Sequence, residues 1–165
     1  MREMDTYGLK LCGYQAELFK ESAIQLKCSS RVFVRRFMNS RLADRIDANG
    51  IYFDATGIPD AFEELDEQYG ATEYGKVKYA AEELYWIGYI YRYWCYAYDK
   101  SSKQLYKLIK PEELRSLYFP YHSLDPKQAI ERIMEAKGLG AEDDIARGVE
   151  ILRRVRSRDQ FSEWH

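Results

Sequence analysis

The stretch from Thr72 to Asp99 contains no proline and is crowded with tyrosine and tryptophan, and it limits the possible folds more than any other part of the chain. Its composition alone would suit a strand. Length decides otherwise: a run of this size without a turn signal predicts a helix, about 40 Å long at 1.5 Å per residue. Gly75 and Gly88 weaken that helix without ending it. At 100° per residue, Leu84, Ile87, Tyr91, Cys95 and Tyr98 form one stripe, and Tyr85, Tyr89, Arg92 and Tyr96 share an arc of roughly 60° on another face. Trp86 and Tyr93 lie further round. A helix apolar on every side is normally the buried centre of a bundle.

Elsewhere glycine and proline are sparse, and the intervals between them read as helices. Apolar residues recur at helical spacing from Tyr14 to Lys27. Ser29-Ser30 offers N-caps for a second helix from Arg31 to about Asp47, closed by Asn49-Gly50. Ile51 to Thr56 is the one strand candidate, with nothing obvious to pair with. Pro59 starts a helix through Tyr69, Pro111 starts another to about Tyr118, and Asp125-Pro126 starts a third that ends at Gly138. Phe119-Pro120-Tyr121-His122 is expected to be non-helical, since the residue before proline avoids the α region. A last helix is expected from Glu142 to about Arg156. The chain has 165 residues, 46% of them hydrophobic, enough for one core without disulfides or metals. The expectation is a single all-α domain over residues 1–165: a bundle of six to seven helices around the long aromatic one.

Function is less legible. A net charge of −2 argues against a general polyanion binder. The longest aromatic run is too short, and with Arg92 too polar, to span a bilayer. The N-terminus lacks a signal-peptide core, so a cytoplasmic protein with no membrane partner is expected. Cys12, Cys28 and Cys95 have no spacing that suggests a metal site. His165 is the last residue and leaves His122 alone among histidines, and no phosphate-binding or nucleophile motif is present. Neither catalysis nor a cofactor is therefore expected.

Three surfaces remain as candidates. Tyr85, Tyr89, Arg92 and Tyr96 combine the residue types enriched in binding hot spots and form the first candidate for a partner-binding face. The second is a nucleic-acid surface of Arg31, Arg35, Arg36, Arg41 and Arg45. Val34, Met38 and Leu42 project onto the same arc as most of these arginines. Either that helix breaks near Asn39-Ser40, or the arginines lie along a partly buried face. The third is a ligand or catalytic cleft around Tyr85, Arg92 and His122. The acidic run of Asp60, Glu63, Glu64, Asp66 and Glu67 reads as a solvated helix face, and no metal is expected there.

The segments Cys28-Ser-Ser-Arg-Val-Phe-Val-Arg-Arg-Phe-Met-Asn-Ser40, Glu83-Leu-Tyr-Trp-Ile-Gly-Tyr-Ile-Tyr-Arg-Tyr-Trp94 and Ser116-Leu-Tyr-Phe-Pro-Tyr-His-Ser-Leu-Asp-Pro126 resemble those of small, poorly characterised proteins of gut Firmicutes. In that family the genes tend to lie beside others resembling ADP-ribosyltransferase-type toxins. The resemblance spans about residues 14 to 135 and implies an antitoxin that binds a toxin encoded nearby. It carries no catalytic motif and assigns no residue a role.

Overall fold

The computed structural model describes residues 1–50 and 56–139, with eight helices and no strand among the described residues. The chain divides into two compact units, Met1–Ser123 and Leu124–His165. The first contains α1 (Thr6–Gln25), α2 (Ser30–Met38), α3 (Arg41–Asp47), α4 (Ile58–Tyr69), α5 (Ala81–Tyr98), α6 (Ser102–Leu108) and α7 (Pro111–Tyr121). The second begins with α8 (Pro126–Ala136), in which Ala129, Ile130 and Ile133 form a buried stripe. The strand expected at Ile51–Thr56 lies, but for Thr56, outside the described residues, as does the helix expected over Glu142–Arg156.

The pairing of α1 with α5 dominates the first unit. Gly88 makes it possible: a Cβ there would stand 2.8 Å from both the Gln15 carbonyl oxygen and the Phe19 ring. Phe19 in turn meets Phe33 and Phe37 edge-on, each at 5.2 Å between ring centroids, which brings α2 onto the same core. Leu84, Ile87, Tyr91 and Cys95 of the predicted stripe are all buried, as expected of a central helix.

Several boundaries differ from the expectation, each for a local reason. Helix α1 begins eight residues earlier than Tyr14, because Asp5 caps it by accepting a hydrogen bond from the Gly8 N–H at 2.7 Å. The predicted Arg31–Asp47 helix is two helices. Ser40 caps α3 through the Ala43 N–H at 3.0 Å, and the break lets Val34, Met38 and Leu42 turn inward while the arginines turn out.

The long aromatic helix begins at Ala81, so that α5 is 18 residues and α1, at 20, is the longer. Residues 70–80 instead form a non-helical strap over the α1–α2 turn. The Ser29 and Ser30 N–H groups donate to the Tyr74 and Val77 carbonyls, each at 3.0 Å. Gly75 sits against Ser29 at φ 81°, a conformation and a closeness that a side chain would not permit.

Helix α6 was not anticipated. Phe119, Pro120 and Tyr121 belong to α7, contrary to the expected break. Pro120 falls in the last turn, where the ladder loses one N–H and little helix remains to be kinked.

Candidate functional site

The four residues grouped by helical angle do not share one surface. Arg92 is 1% exposed. Its Nε donates to Gln15 Oε1 at 2.8 Å, Nη1 to Asp47 Oδ1 at 2.7 Å and Nη2 to Ser102 Oγ at 2.8 Å. Ser102 passes the chain on, donating its hydroxyl to Asp47 Oδ1 at 2.7 Å and its N–H to Oδ2 at 2.9 Å. Gln15 Nε2 donates to the Gly88 carbonyl at 3.0 Å. Four helices, α1, α3, α5 and α6, therefore meet on one guanidinium. The expectation that Arg92 is reachable by a partner is corrected by this geometry, since three of its donors are spent inside the fold.

Tyr96 also turns inward. Its hydroxyl donates to the Asp5 carboxylate at 2.8 and 2.9 Å, and the Arg2 guanidinium lies 4.6 Å from its ring centroid. The Gly8 N–H, followed by Tyr96, holds the Asp5 carboxyl below its ordinary value of 3.8. The residues before α1 thus cover the end of α5.

Tyr85 and Tyr89 remain outward, and the structure joins them to Tyr93. Tyr85 and Tyr89 stack at 6.4 Å with 23° between rings, and Tyr89 and Tyr93 stand 6.4 Å apart at 30°. Tyr85 is 37% exposed, and the other two are half-buried. This i, i+4, i+8 ladder is a continuous aromatic ridge along one side of α5. Sequence reasoning placed Tyr93 further round, because a helical wheel does not say which edge of an arc the neighbouring helices cover. The i+4 recurrence of tyrosine was the available signal.

The arginines divide between α2 and α3, and most are engaged. Arg31 pairs with Glu112, and Arg45 with Glu64 at 2.8 Å. Arg36 donates to the Gly70 carbonyl at 2.6 Å and lies over the Tyr69 ring. Arg35 and Arg41 are exposed with no acid partner among the described residues.

His122 ends α7, exposed, its ring stacked on Tyr118 at 4.3 Å and its Nδ1 2.8 Å from the Tyr118 carbonyl. A cavity of about 120 Å³ beside Asp47, Cys95 and Tyr96 includes Arg92 but neither Tyr85 nor His122. A larger one of about 400 Å³ has Phe33, Phe62 and Leu65 as its apolar wall and Cys28, Arg36 and Asp66 around it; none of the three proposed cleft residues lines it. Burial pushes the Cys12 and Cys95 thiols up to about 12, which disfavours the thiolate at neutral pH.

Among the described residues no group of three His, Cys, Asp or Glu side chains converges as a metal site, and no helix is long and apolar enough to cross a membrane. No protein-family model matches the chain, and neither curated proteins nor solved structures give a match.

Proposed function

We propose that this chain is a non-enzymatic interaction module of the cytoplasm that binds a partner protein and occludes it, in the manner of an antitoxin. The observation that carries this reading is the Tyr85–Tyr89–Tyr93 ladder. Tyrosine offers large contact area with few rotatable bonds, so a ridge already ordered by mutual stacking loses little entropy when a partner covers it. Behind the ridge, the Arg92 network fixes α5 against three other helices, giving the rigid support such a surface needs. The resemblance of three segments to an antitoxin-like family supports a partner encoded nearby, blocked sterically.

The test is co-purification with that partner, followed by titration of the Tyr89→Ala variant. Affinity is expected to fall at least about tenfold, while the melting temperature stays within about 3 °C. Unchanged affinity, or melting that collapses together with binding, would remove the ridge as the contact surface.

A further inference from the structure

Helix α6 brings together cations that are far apart in sequence. Its inner side buries Ser102 and Leu105, which leaves Lys103 and Lys107 outward, followed by Lys110. Helix α2 packs beside it and exposes Arg31 and Arg35. Tyr106 sits between the two rows. Its ring lies 4.2 Å from Lys110 Nζ, and its hydroxyl, pushed up by burial, is pulled back by Arg35, while Glu112 and Arg31 act on it in opposite directions. At the other end Lys103, Arg36 and Arg41, with Asp44 among them, act on Tyr69, whose ring Arg36 covers at 5.3 Å. Among the described residues only Asp44 and Glu112 are paired with these cations, Asp44 with Lys103 at 3.5 Å and Glu112 with Arg31. The result is a basic belt on a chain whose net charge is −2.

We propose that this belt docks an acidic segment of a protein partner. Arg31/Arg35 and Lys103/Lys107 each present charge at i, i+4, about 6 Å along a helix axis, a spacing that carboxylates on a partner helix repeat. Three observations favour carboxylates over a phosphate backbone. The Tyr69 and Tyr106 rings each already have one face taken by a cation, Arg36 and Lys110 respectively, which competes with a base for stacking there. Arg35, Arg41 and Lys107 are the belt's cations with no partner among the described residues, a number too small for tight non-specific binding to nucleic acid. The belt also ends at α4, whose Glu63, Asp66 and Glu67 are exposed with no cation paired to them among the described residues. A long polyanion leaving the belt past Tyr69 would meet those carboxylates, whereas a short acidic segment stops before them.

This inference does not rest on the tyrosine ridge, and its test separates the two. The full chain is titrated in low salt against a labelled oligo-glutamate peptide and against single-stranded and duplex oligonucleotides of matched charge. The peptide is expected to bind more tightly than either oligonucleotide, with affinity that falls as salt rises. Combined Arg35→Glu, Arg41→Glu and Lys107→Glu substitution should weaken it at least about tenfold, and Tyr89→Ala should leave it unchanged. Lys107→Glu alone, at an exposed position, should act in the same direction if the triple variant is poorly folded. Equal or tighter oligonucleotide binding would assign the belt to nucleic acid instead. No peptide binding, or binding indifferent to both reversals, would overturn the proposal outright.

Discussion

Helix α5 carries an inward group, Tyr91 and Arg92, both almost wholly buried, and an outward group, Tyr85, Tyr89 and Tyr93, although Arg92 shares a helical arc with Tyr85 and Tyr89 and differs from them in what packs over it. Inside, every polar atom at issue has a protein partner: the Tyr91 hydroxyl donates to the Ile109 carbonyl at 2.6 Å, and Arg92 is held by Gln15, Asp47 and Ser102. Outside, the rings lie against one another, and Tyr85 reaches solvent. The difference follows from desolvation. A hydroxyl or guanidinium withdrawn from water must be satisfied by the fold, so buried polar groups specify which segments pack together. A ring that reaches solvent, as Tyr85 does, has no such obligation. Identical residue types on one helix therefore hold the fold together where they are buried and remain at the surface where they are not, and it is there that we propose recognition.

Breaking the inward side should have the largest effect. Arg92→Ala leaves the Asp47 carboxylate and the Gln15 and Ser102 side chains facing a void, and removal of one member of a buried charge pair costs about 3–5 kcal/mol. Urea denaturation should show that loss directly. A change of less than about 1 kcal/mol would mean that water replaces the guanidinium and that the network does not organise the four helices. Next comes Gly88→Ala, whose methyl would stand 2.8 Å from the Gln15 carbonyl oxygen and the Phe19 ring. Separating α1 from α5 to admit it should cost about 1–3 kcal/mol. Any gain in stability from the better helix former would contradict the close approach.

How much of this was legible in the sequence follows the same division. Elements with local signals were readable: Ser29 before α2, Pro59 inside α4, Pro111 at the start of α7 and Asp125-Pro126 at α8. The burial of Leu84, Ile87, Tyr91 and Cys95 followed from periodicity alone. What stayed hidden depends on partners distant in sequence. Gly75 stops the aromatic helix short because it sits against Ser29, which is on another element. Arg92 looked like a surface residue because Gln15, Asp47 and Ser102 come from three separate segments. Helix α6 carried its capping box, Ser101 with Gln104, but at 7 residues it is too short to show a period, and without it the basic belt could not be assembled.

A gentler probe of the inward side uses pH. Asp5 has its carboxyl held down, first by the Gly8 N–H and then by Tyr96. A depressed carboxyl contributes stability that is fully present above its unfolded value of 3.8 and is lost as pH falls through the lower folded value. Asp5→Asn keeps a side-chain cap for α1 but removes the titration. The variant should therefore match the parent least well near neutral pH and converge on it in acid, measured as melting temperature against pH. Parallel curves across that range would show that the carboxylate contributes nothing by its charge.

The smallest stability change is expected on the outward side, and it sharpens the comparison most. Tyr85 is the most exposed member of the ladder and stacks only on Tyr89 among the ring contacts described. Tyr85→Ala removes a ring that the folded chain does not enclose, so stability should change by no more than about 0.5 kcal/mol, as at other surface positions. Helix propensity works in the same direction, because alanine is the better helix former and offsets part of any lost stacking. The parent and the variant should therefore have overlapping urea transitions. A loss approaching that of Arg92→Ala would show that the outward ring also holds α5 in place, and the two sides of the helix would then no longer differ in kind. Overlapping transitions combined with weaker binding of the proposed partner would place the part that α5 takes in recognition on its outward rings.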